Sequence, residues 1–155
     1  MADEGRLEDL AYALSLRALE QQERVLEELR ARTGVLLAAT ALVASFLGGR
    51  ALSSAASPWF TLPGVAAATA SILLAVYLLA PKSKLEFALD GAAVYEHFAG
   101  EGADIPETHR TLAYWLSDAW ASNQETIDRL VRLFAFACAA LVAAVLVWAL
   151  ALGLD

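Results

Sequence analysis

Residues 133–154 read LFAFACAALVAAVLVWALALGL, a run without a formal charge. Wound as an α-helix at about 1.5 Å per residue, Leu133–Gly153 extends about 31 Å, enough to cross a hydrocarbon core of about 30 Å. Working upstream, Arg50 is the only formal charge between Thr33 and Pro81. Trp59–Ala80 gives a second helix of about 33 Å. Thr33–Gly49 is shorter, about 25 Å, and reaches full length if it continues through Ala51 and Leu52 while Arg50 snorkels to the surface. The sequence therefore predicts three transmembrane helices, at 33–52, 59–80 and 133–153. A soluble bundle of this size has too little volume to hide three charge-free helices.

Composition agrees. The chain has 155 residues, 59% hydrophobic and 19% charged, against about 45–50% and 25% in an ordinary soluble domain. The formal net charge of -7 argues against nucleic acid as a partner. A single cysteine, Cys138, excludes an internal disulfide framework and a multi-cysteine metal cluster. Residues 1–32 are strongly charged and fit no cleavable signal peptide, so the N-terminus is expected to be kept.

Basic residues set the expected orientation. Arg6, Arg17, Arg24, Arg30 and Arg32 precede the first span, and Lys82, Lys84, Arg110, Arg129 and Arg132 lie between the second and third. Only Arg50 falls on the other side. The positive-inside rule then places the N-terminus in the cytoplasm and the C-terminal tail, 154–155, outside.

The segments outside the spans read as helices too. In residues 1–32, Leu7, Leu10, Leu14, Ala18, Gln21, Val25 and Leu29 recur at three- and four-residue steps, one face of a cytoplasmic amphipathic helix. No proline or glycine interrupts Arg6–Thr33, so this helix is expected to run into the first span, over about 6–50. Residues 53–58 form an outer loop, with Trp59 as an interfacial anchor and Pro63 in the first turn of the second span. Residues 81–132 read as a cytoplasmic helical hairpin. Leu85, Leu89, Ala92, Tyr95 and Phe98 mark a short helix over 84–99, and the turn Gly100–Asp104 follows. Leu112, Leu116, Ala119, Trp120, Asn123, Ile127, Leu130 and Phe134 then make one stripe of a helix from about 106 that continues into the third span. The expected fold class is an all-α integral membrane protein with a cytoplasmic three-helix extension.

Small residues four apart mark helix-packing candidates: Gly34 and Ala38, Ala44 and Gly48, Gly64 and Ala68, and Ala135, Ala139 and Ala143. They suit either packing within the chain or an oligomeric interface, which around a pore could be lined by hydroxyls such as Thr40, Ser45, Thr69 and Ser71. No charged residue or histidine lies in a span interior, which weighs against a proton relay or voltage sensor. Arg30, Arg32, Lys82, Lys84, Arg129 and Arg132 gather at one membrane depth; they serve as topology anchors and could also hold an anionic ligand or lipid headgroup. Tyr95, Tyr114, Trp115 and Trp120 are expected in the core of the cytoplasmic bundle rather than as a base-stacking site. His97 and His109, near Glu96 and Glu107, lack metal-motif spacing, and Cys138 has no pKa-lowering neighbour in sequence. Neither a phosphate loop nor a nucleophile elbow is present. No enzyme, metal or cofactor is expected.

The order of parts resembles the transmembrane family of bacterial Pycsar effectors and, more loosely, the SLATT membrane domains of phage-defence systems. The stretches that carry the likeness are RARTGVLLAATALVASFLG, LLAPKSKLEFALDG and LAYWLSDAWASNQETIDRLVRLF. The layout is also similar to small uncharacterised membrane proteins of high-GC bacteria. The resemblance implies a homo-oligomeric effector of the cytoplasmic membrane that senses a cyclic nucleotide and impairs the bilayer. The sequence has no recognisable nucleotide-binding cassette, and no residue role is carried over. The alternative is a non-catalytic accessory or scaffold subunit that docks a protein partner through its cytoplasmic helices.

Overall fold

The computed structural model describes residues 4–53, 58–81, 85, 87, 91–99 and 104–153. Among these the only regular structure is helical. Helix α1 runs Glu4–Val43, passes into a π-helical turn at Ala44–Gly48, and resumes as the short α2, Gly49–Ser53. Helix α3 spans Pro58–Leu79, α4 Gly91–Ala99 and α5 Ile105–Gly153. The stretches Leu7–Ser53, Thr61–Leu79 and Ile105–Gly153 each contain a segment long and apolar enough to cross a membrane. This is an all-α membrane fold, as the charge-free runs require.

Buried positions follow a rule along each long helix. In α1 they are Leu19, Gln22, Leu26, Leu29, Thr33, Leu36 and Thr40; in α3 they are Thr61, Gly64, Ala68, Ser71, Ala75 and Leu78. The alternating steps of three and four are the seven-residue period of a left-handed bundle. In α5 the same period carries Leu112, Leu116, Asn123, Ile127, Leu130, Ala137, Ala144, Trp148 and Ala151. The stripe expected on α5 thus matches at Leu112, Leu116, Asn123, Ile127 and Leu130, while Ala119 and Phe134 are half-buried and Trp120 is exposed.

The face expected on α1 is corrected. Leu7, Leu10, Leu14, Gln21 and Val25 are exposed, and of that set only Leu29 is buried. The inward seam lies one position round, through Leu19, Gln22 and Leu26, and includes Thr33 and Thr40.

Two local expectations also change. The helix expected over 84–99 begins only at Gly91; Leu85 and Phe87 have no regular structure, and Lys82, Lys84 and Leu89 lie outside the described residues. Helix α3 starts at Pro58, so Pro63 lies in its second turn, where its missing N–H leaves the Trp59 carbonyl without the usual helical donor. At the start of α5, the Asp104 carbonyl accepts from the Thr108 N–H at 3.0 Å and from Thr108 Oγ1 at 3.1 Å. Pro106 falls in this first turn, where its missing N–H costs no helical bond.

The chain divides into two compact units. One comprises 1–27 and 82–128 and holds most of the charges; the other comprises 28–81 and 129–155 and holds the apolar segments. Both α1 and α5 contribute residues to each.

Candidate functional site

In the apolar unit the three spans are joined by hydroxyls. Thr40 on α1 and Ser71 on α3 lie 3.2 Å apart, both fully buried. Thr40 Oγ1 is also 2.8 Å from the Leu36 carbonyl, and Ser71 Oγ is 3.0 Å from the Ala137 carbonyl on α5. Two hydroxyl protons serve three contacts. Thr40 can donate to the Leu36 carbonyl while Ser71 donates to Ala137, or one of the two hydroxyls turns its proton to the other. Thr33 donates to the Leu29 carbonyl at 2.7 Å in the same seam. Thr40 and Ser71 therefore work inside the chain's own core, while Ser45 and Thr69, grouped with them from sequence, are exposed.

Toward the α2 end the seam closes on Trp148, which is 1% exposed. It packs with Ala51, Ala68 and Ala144, flanked by Val43, Ala44, Leu47, Ala67 and Leu152. Two glycines make its room. A methyl group on Gly48 would meet the indole at 3.0 Å, and one on Gly64 would overlap Nε1. The Trp148 Nε1–H has no acceptor among the described residues, a costly state for a buried donor.

The helix-packing candidates separate into two groups. Ala44, Gly48, Gly64 and Ala68 pack around Trp148. Gly34, Ala38, Ala135, Ala139 and Ala143 are exposed, and a methyl group on Gly34 would meet nothing within 4 Å. Cys138 is half-buried. Trp59 projects outward at 86% exposure.

Of the basic set, Arg32 pairs with Glu28 one turn away. Arg129 and Arg132 are exposed, Arg30 is half-buried, and Lys82 and Lys84 lie outside the described residues.

The charged unit is built differently. Gln22, buried in the α1 seam, donates through Nε2 to the Trp120 carbonyl and to Gln124 Oε1, both at 3.0 Å, while its own Oε1 has no donor. Gln124 donates onward to Asp128 at 2.9 Å. His109 stacks on Tyr12 with ring centres 5.0 Å apart and hydrogen-bonds Asp9. His97 instead lies against Phe98 and Trp115, at 4.8 and 5.3 Å. The two histidines thus have separate partners, and Glu107 pairs with Arg110 at 3.1 Å. Among the described residues, no three metal-ligating side chains converge.

The aromatic expectation is corrected. Tyr95 and Tyr114 are 74% and 68% exposed, and Trp115 and Trp120 are exposed as well. Among the described residues, this unit buries Leu19, Leu26, Leu112, Leu116 and Ile127 together with Gln22 and Asn123. Leu7, Glu8, Ala11, Arg110, Ala113, Tyr114 and Ser117 line an open groove of about 400 Å³, in which Glu8 Oε2 is buried without a donor.

Sequence reasoning passed over Trp148 and Gln22. The signal for Trp148 was present: the single tryptophan of an alanine-rich span, with small-residue pairs on both other spans. No family model, curated protein or solved structure matches the chain.

Proposed function

We propose that the chain is a self-associating, non-enzymatic protein of the bacterial cytoplasmic membrane, its N-terminus inside and C-terminus outside, that changes membrane integrity or conductance when its cytoplasmic helices rearrange. The observation that carries this reading is helix continuity. Helix α1 covers 40 residues and α5 covers 49, and each passes without a break from charged sequence into apolar sequence. A rearrangement of their charged parts can therefore be passed into the spans as rotation or sliding of rigid helix. Self-association is supported by the small faces at Gly34, Ala38, Ala135, Ala139 and Ala143, which intrachain packing leaves open and which let helices approach closely in lipid.

The layout's resemblance to Pycsar effectors makes a cyclic nucleotide released during phage infection the first stimulus to try. Inducible expression with a membrane-potential dye tests the reading. Depolarisation that depends on one added nucleotide is expected; unchanged polarisation with every candidate nucleotide contradicts it.

The exposed leucines of α1 favour a second reading, a scaffold subunit that docks a protein partner through Leu7, Leu10 and Leu14. Purification in mild detergent separates the two. A homo-oligomer favours the effector, and a stoichiometric foreign protein favours the scaffold.

A further inference from the structure

We propose that the π-turn at Ala44–Gly48 and Trp148 form a two-state register latch at the α2 end of the apolar unit. The seam of α1 sets the phase. Its inward positions alternate by three and four up to Thr40, so an uninterrupted α-helix would next turn Val43, Leu47 and Arg50 inward. The π-turn adds one residue to the circuit. The buried positions become Gly48 and Ala51 instead, and Arg50 stays exposed. The extra residue is what puts the smallest side chain opposite the largest: Gly48 lies against the Trp148 ring, where a methyl carbon would sit 3.0 Å from the indole and the ring would have to give way by a few tenths of an ångström.

The observed state carries two opposing features. Trp148 and Ala51 are almost completely buried, which holds the latch closed. The indole N–H is buried without an acceptor, and a π-turn closes one fewer helical bond than the α-helix it replaces, which both favour opening. In the open state the turn relaxes to α-helix and the segment beyond it rotates by about 100°, the angle of one residue. Leu47, already half-buried beside the ring, then takes the place of Gly48. No room remains for the indole, so Trp148 leaves the core and Arg50 swings to the inward side. Gly64 is the fixed wall, since even a methyl group there overlaps Nε1.

The test is fluorine NMR of the full chain in lipid nanodiscs, labelled with 5-fluorotryptophan. Trp59, Trp115 and Trp120 are exposed, so their replacement by phenylalanine leaves Trp148 as the one reporter. A main resonance and a minor one in slow exchange are expected, the minor state holding on the order of 1–10% of the population. Gly48→Ala should shift the ratio of minor to main state about tenfold toward the minor state, within the range that overpacking by one methyl group imposes on an equilibrium. Deletion of exposed Phe46 removes the extra residue while leaving Gly48 and Ala51 in seam phase, so the minor resonance should vanish. A single resonance unchanged by Gly48→Ala overturns the latch, as does a minor resonance that survives the deletion. If the deletion variant does not assemble, the Gly48→Ala result decides alone.

Discussion

The two units of the chain satisfy their polar groups in opposite ways. In the apolar unit, Thr33, Thr40 and Ser71 are fully buried, and each hydroxyl has a partner. Its large exposed side chains, such as Val35, Leu42, Phe46 and Leu146, are what lipid solvates best. In the charged unit, Gln22 Oε1 and Glu8 Oε2 are buried without donors, while Leu7, Leu10, Leu14 and Tyr114 are exposed. Where water is absent, an unpaired hydroxyl has nowhere else to turn and pairs inside the chain; among the described residues the Trp148 N–H is the exception in this unit, buried without an acceptor. Where water is near, the same rule is relaxed, and exposed apolar side chains become the feature that needs a partner. The first pattern belongs to a finished core, the second to a surface that still has an interaction to make.

Substitutions can break or sharpen this contrast. The largest effect is expected at Gly64, where Gly64→Leu must displace Trp148 and should cost about 3 kcal/mol or more, read by reversible unfolding in mixed detergent and SDS micelles. Loss of less than about 1 kcal/mol would mean the ring is loosely held. Ser71→Ala removes the link from α3 to both Thr40 and Ala137 and should cost about 1 kcal/mol in the same assay, the usual size for an interhelical bond in lipid. Gln22→Leu in the charged unit should do the reverse. It replaces a half-satisfied amide by leucine in a seven-residue seam, and a gain of up to about 1 kcal/mol is expected; a loss would show that its bonds to Trp120 and Gln124 outweigh the orphaned oxygen. The smallest effect is at Gly34, where Gly34→Ala meets no atom within 4 Å and should stabilise the monomer by about 0.5–1 kcal/mol through helix propensity. A weaker oligomer in the same variant, measured by sedimentation in detergent, would place Gly34 in the contact between subunits.

Much of this was legible in the residues, and what was not has physical causes. Missing charges marked the three spans, because ionic groups are the costliest side chains in lipid; the helix ends expected near 59, 80, 106 and 153 agree with α3 and α5 to within about two residues. The α5 seam was readable because its apolar residues are also its buried ones. On α1 the two properties part company: Gln22, Thr33 and Thr40 face inward while Leu7, Leu10 and Leu14 do not, so hydrophobicity alone pointed to the wrong face. The π-turn left no mark on composition, and shows only once Thr40 and Gly48 are seen to share a seam at an eight-residue interval. Small-residue pairs identified Gly48 and Gly64 but not their common partner, since nothing in a list of spacings says which large side chain a gap receives.

Alkaline carbonate extraction of membranes from cells producing the untagged chain tests the foundation of all this most directly. With lipid around 33–53, 59–79 and 133–153, the polypeptide should stay in the pellet and leave it only with detergent. Release into the carbonate supernatant as a compact monomer would mean that water surrounds those helices, and would contradict the membrane fold and the roles assigned to its seams.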